Sequence, residues 1–177
     1  MAVHTLGKVK AWLADTAQQK PFKRDVWGWV LVVLNMLAVL NAMFFFFGML
    51  RCNVVEWLML NTCAPVVMLF VLGFLFGRPV LMVAAAMLMF RYGTLGLFVF
   101  GWDAGSIMSQ VGHSLMTLAV IYVAVDVIRH KRWKALWTGL LLGVGILVPF
   151  MILQTMWCHA HPEIVDMLFS GEWVLPE

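Results

Sequence analysis

The stretch PVLMVAAAMLMFRYGTLGLFVFGW, residues 79–102, holds a single charged side chain, Arg91. A helix needs about 20 apolar residues to cross the hydrocarbon of a bilayer, and this run is long enough. Four comparable runs flank it, at 26–50, 54–76, 106–128 and 135–157, separated by RCN, GRP, DAG and RHKRWK. The whole chain is 63% hydrophobic and 12% charged, with a mean hydropathy of +0.93. An ordinary soluble domain is about 45–50% apolar and about 25% charged. The expected solvent is therefore lipid, and the expected fold is all-α: a polytopic bundle of five transmembrane helices. The connections are so short that neighbouring helices should be antiparallel hairpins.

Charge sets the expected orientation. Lys8, Lys10, Lys20, Lys23 and Arg24 precede the first run, Arg78 lies in the second connection, and Arg129, Lys131, Arg132 and Lys134 lie in the fourth. With five crossings these share one side, ten of the twelve basic residues. Basic connections stay in the cytoplasm, so the N-terminus is expected inside and the C-terminus outside a bacterial-type plasma membrane. The segment from Pro162 carries Glu163, Asp166, Glu172 and Glu177 and no basic residue, as suits an exported end. Trp27, Trp29, Trp57, Trp102, Trp133, Trp137 and Trp157 fall near the ends of the first, second, third and fifth runs, where indole rings prefer the headgroup level.

Residues 1–25 are expected to form a cytoplasmic segment, 26–157 the transmembrane domain and 158–177 an extracytoplasmic acidic tail. Leu6, Val9 and Leu13 share a helical face, which predicts an amphipathic helix over 1–22 lying on the membrane and stopped near Pro21. A second short interfacial piece is expected over 162–174. The first apolar run exceeds the roughly 7–15-residue core of a signal peptide, so it is expected to remain as a start-transfer helix. The small net charge of +3, without a basic stripe, argues against nucleic acid. No internal repeat, nucleotide-binding loop, GxSxG elbow or HExxH helix is present.

Polar groups at hydrocarbon depth need protein partners or a wet cavity. At 1.5 Å per residue, Asn41, Asn61, Cys63, Gln110 and His113 fall roughly 8–15 Å below the outer surface, and Arg91 roughly 16 Å down. Ser106, Gln110, His113 and Thr117 recur at helical spacing and should line one face of the fourth helix. That stripe either packs a helix interface through hydroxyl and amide hydrogen bonds or faces a site. Pro65 in NTCAP, residues 61–65, should bend the second helix by removing a bond to the Asn61 carbonyl; Pro149 could act alike in the fifth.

Arg91 at mid-depth costs at least about 2.5–3.5 kcal/mol on insertion scales. Three explanations compete: an ion pair with Glu56, a break in the third helix at Arg91–Gly93, or a fixed positive charge for an anionic ligand. At the outer rim, Cys52 and Cys158 could form a disulfide. Alternatively Cys158, His159 and His161 could take zinc or copper. A haem is disfavoured, because His113 is the one histidine within a span.

The leading functional expectation is transport or a channel, with an outward-facing site for a small anionic or polar solute. Arg91 and His113 would form its centre, with Gln110, Asn61, Asn41 and Glu56 around them, in a homo-oligomer or alongside other membrane subunits. One alternative is a non-catalytic membrane subunit of a redox assembly, binding quinone or partner helices. Another is a metal-dependent membrane enzyme using His113, His159 and His161.

Overall fold

The computed structural model describes residues 21–99, 101–102 and 106–170. It is an all-α helical bundle. Its helices are α1 (Val26–Met43), α2 (Val54–Leu60), α3 (Cys63–Leu75), α4 (Pro79–Met89), α5 (Gly96–Val99), α6 (Ile107–Arg129), α7 (Trp133–Ala160) and α8 (Pro162–Ser170), with π-helical segments at Phe44–Met49 and Phe90–Thr94. The predicted amphipathic helix over 1–22 lies almost entirely outside the described residues.

The ends of the helices follow from local sequence. Asp25 opens α1 by accepting the Gly28 N–H through Oδ1 at 2.9 Å. Asn53 and Glu56 form a reciprocal capping box that starts α2. At the end of α3, Gly77 adopts φ +60°; its N–H bonds to the Phe74 carbonyl and the Arg78 N–H to that of Gly73. This is a Schellman stop, which favours glycine at the left-handed position. Pro79 then starts α4, where its missing N–H would have no helical partner.

Among the described residues, four helical stretches are long and apolar enough to cross a membrane: Val26–Met49, Pro79–Phe98, Ile107–Arg129 and Trp133–Ala160. The second expected span is broken. Its two pieces, α2 and α3, meet at 86° around Asn61 and Thr62. The bend is far sharper than a proline kink, and Pro65 is not its hinge: it sits in the first turn of α3, where a missing N–H costs no helical bond. Asn61 ends α2 with non-helical dihedrals, and its Oδ1 accepts the Ala64 N–H at 3.3 Å. The Gln154 side chain of α7 donates to the Met59 carbonyl at 2.7 Å. By contrast, α7 runs unbroken through Pro149.

The chain nevertheless makes five legs between two ends. The Phe22 N–H donates to the Gly77 carbonyl at 2.9 Å, and Arg132 Nη2 to the Pro21 carbonyl at 3.1 Å. The start of α1, the α3–α4 turn and the α6–α7 turn therefore share one end, hereafter the basic end. At the centre stands α4, with eight of its eleven residues buried. It packs closely on α7, because a Cβ at Gly139 would lie 2.5 Å from Val83 Cβ and one at Gly143 2.7 Å from Met87 Sδ. Small residues four apart are a standard device for close helix contact in lipid. Conversely, α7 buries only Ala135, Thr138, Gly139 and Gly143 and leaves a broad apolar flank outward, as a lipid-facing helix does.

Candidate functional site

The polar stripe of α6 faces inward as its spacing implied: Gln110 and His113 are buried and Thr117 half-buried. Opposite it lies the π segment Phe90–Thr94, in which the Leu95 N–H reaches back five residues to the Phe90 carbonyl at 3.2 Å. Such wide turns carry one residue more than an α turn and occur often at functional sites. Here the turn brings glycine backbone against α6. A Cβ at Gly96 would lie 2.7 Å from His113 Cε1, and one at Gly93 would lie 2.7 Å from Met116 Cβ. Thr117 bonds to Thr94 between the side-chain hydroxyls at 3.1 Å and donates to the His113 carbonyl at 2.8 Å.

The break between α2 and α3 reaches the same place from another side. Cys63, the first residue of α3, has its Sγ 3.8 Å from His113 Nε2 and donates to the Tyr92 carbonyl at 3.8 Å. The Tyr92 hydroxyl is buried with no hydrogen-bond partner among the described residues. Two backbone irregularities, from different legs, thus converge on one imidazole. Non-helical backbone at membrane depth is tolerated where protein covers it or a cavity adjoins it.

The other expected site residues are dispersed. Gln110 lies one turn from His113 and donates to the Gly101 carbonyl at 3.2 Å, while Asn61 is buried at the break. Asn41 is exposed on the flank of α1. Arg91 is exposed, its guanidinium 5.7 Å from the Tyr92 ring centre and in no salt bridge among the described residues. The expected Arg91–Glu56 pair does not form, because the Glu56 carboxylate instead accepts the Asn53 backbone N–H at 2.8 Å and its amide at 2.6 Å. The expected break at Arg91–Gly93 is not seen either: the helix continues from Pro79 to Phe98 through a π turn at Phe90–Thr94.

Glu56 lines a different feature, an open cleft of about 520 Å³ at the end opposite the basic one, with Asn53, Val54, Val55, Trp157 and His161. His161 stacks on Trp157 with ring centres 4.5 Å apart, and its Nδ1 lies 3.0 Å from the Trp157 carbonyl. The disulfide expectation is corrected here: Cys52, Cys63 and Cys158 are all free thiols. Cys52 is buried against Phe46 and Leu50, with Trp57 and Leu60 alongside. Burial, and then the nearby Glu56 carboxylate, push its pKa up. The rim metal set is not gathered either. Among the described residues no three of His, Cys, Asp or Glu come together to hold a metal. His113 stands within the bundle and His159 and His161 at its rim, so the set expected of a metal enzyme is divided.

Sequence reasoning passed over the basic end. Arg132 and Asp126 form a buried ion pair, Nε to Oδ2 at 2.8 Å, and His130 Nδ1 lies 2.9 Å from Asp126 Oδ1. Tyr122 donates to Asp25 Oδ1 at 2.9 Å, and the Arg132 guanidinium lies 6.0 Å from the Phe22 ring centre. The signal was Asp126 near the end of an apolar run, six residues before an arginine. Set against models of protein families, against curated proteins and against solved structures, the chain matches none of them.

Proposed function

We propose that this chain is a multi-pass membrane transport protein, or the membrane subunit of a transporter, with a site for a small polar or charged solute centred on His113. The observation that carries the reading is the convergence of the α2–α3 break and the Phe90–Thr94 π turn on that buried imidazole. Interrupted helices at mid-depth are how many transporters build substrate sites. The Tyr92 hydroxyl, which has no hydrogen-bond partner among the described residues, suits a polar guest, since a buried unsatisfied group costs about 1–3 kcal/mol. Cys63, Thr94 and Thr117 complete the lining, and Arg91 stands on the exposed flank of the same π turn. The basic end faces the cytoplasm of a bacterial-type plasma membrane in this reading. Flux into liposomes tests it: folded His113→Ala protein is expected to lose solute movement, and undiminished flux in both His113→Ala and Arg91→Ala would reject it.

One observation favours a second reading, in which partner subunits complete the protein. Arg91 and Asn41 are exposed on the bundle flank within spans, where lipid penalises them. A neighbouring helix, from a second copy or a redox assembly, would cover them. Stoichiometric partner chains or quinone in mild-detergent preparations would support this.

A further inference from the structure

We propose that Cys63, His113 and Met116 bind a soft monovalent metal ion, Cu(I), for which Ag(I) serves as a redox-inert probe. The inference rests on the transport reading for the ion's movement but not for its binding. Cys63 Sγ and His113 Nε2 are 3.8 Å apart. A metal bonded at about 2.3 Å to sulfur and about 2.0 Å to nitrogen would bridge them at an S–M–N angle of ~120°. That angle suits trigonal coordination and leaves one place in the plane. Met116 lies three residues beyond His113, on the same face of α6, and its Sδ would lie 3.1 Å from a Cβ at Gly93. Glycine therefore gives the thioether its room, as Gly96 does for the imidazole.

The donor set selects the ion. Thiolate, imidazole and thioether are soft or borderline ligands, which favour Cu(I). Structural zinc takes four ligands from Cys, His and carboxylates, and among the described residues no three such groups gather. Charge agrees. On binding, the Cys63 thiol gives up to water the proton it now donates to the Tyr92 carbonyl. Thiolate and Cu(I) then sum to zero, sparing the site an unpaired charge in a poorly solvated setting. Because the thiol must ionise, affinity should rise with pH.

The test is anaerobic titration of the purified full chain in detergent with Ag(I), and with Cu(I) held by a competing chelator. The Cys52→Ser/Cys158→Ser double variant should keep one tight equivalent. Cys63→Ser should weaken it by at least about 100-fold, beyond the ~10–100-fold that loss of an outer-shell partner costs; His113→Ala and Met116→Leu should weaken it by at least about tenfold. X-ray absorption should show three-coordinate metal with mixed sulfur and nitrogen ligands. Unchanged affinity in monodisperse Cys63→Ser protein, or loss of the tight equivalent in the rim double variant, would overturn the assignment. Tight binding without flux would sink the transport reading alone; flux without tight binding would sink this inference alone.

Discussion

Asp126 and Arg132 show how one pair of side chains can hold several segments. Arg132 gives its Nε to Asp126 and one Nη to the Pro21 carbonyl, so the same guanidinium ties the α6–α7 turn to the chain entering α1. Both side chains are under a tenth exposed. Removing one partner leaves a charge with little water to solvate it, which costs about 3–5 kcal/mol. Asp126→Ala should lower the thermal midpoint in detergent by that equivalent, and Arg132→Ala by less, because His130 still stands 2.9 Å from Asp126 Oδ1. The double change Asp126→Leu/Arg132→Met should cost less than either single change, since an apolar pair of similar volume carries no desolvation penalty. Additive losses in the double-mutant cycle would show that the two residues act independently. Both residues were visible, Asp126 near the end of the run 106–128 and Arg132 in the connection after it, but only the three-dimensional turn brings them together. Arg91 is the converse. Its anomaly was plain in the sequence, but the side to which its helix turns it was not, because that depends on a change of helical pitch at Phe90.

That change of pitch belongs to the element scale. An α-helix continued through Phe90–Thr94 would need one residue fewer, and the added residue opens the turn that sets Gly93 and Gly96 against α6. Arg91 is exposed and in no salt bridge among the described residues, so its loss should disturb packing little. Deleting it should let α geometry run from Pro79 to Val99 and also remove a charge that lipid disfavours. The deletion variant is expected to fold, with a thermal midpoint equal to or above that of the parent chain. It should lose flux and weaken Ag(I) binding, because the glycine backbone no longer frames His113 and Met116. Parental function in a folded deletion variant would mean that the wide turn is only a packing accident. RYG with two nearby glycines was a readable hint of irregularity. The 86° turn at Asn61–Thr62 was not, because proline drew attention to position 65 while an asparagine cap made the corner.

For the whole molecule, the five apolar runs and their basic connections carried most of the architecture, because span length and charge follow directly from the solvent. The broken second leg is where topology could differ. If α2 and α3 together return the chain to its starting side, Arg78 shares a side with Lys23 and Lys131. If they dip in and come back out, Arg78 shares a side with Cys52. The hydrogen bonds from Phe22 to Gly77 and from Arg132 to Pro21 favour the first arrangement. Single-cysteine variants labelled with an impermeant maleimide in intact cells separate the two. Cys158, at the far end of α7, should label from outside, whereas Lys23→Cys, Arg78→Cys and Lys131→Cys should label only after lysis. Cys52 should also label from outside, but slowly. Its thiol is buried and its pKa raised, so less thiolate is present at neutral pH than for an ordinary cysteine, and the rate should climb as pH rises toward that raised value. Arg78→Cys labelling from outside in intact cells would make the second leg re-entrant and remove the positive-inside argument for the orientation of the entire bundle.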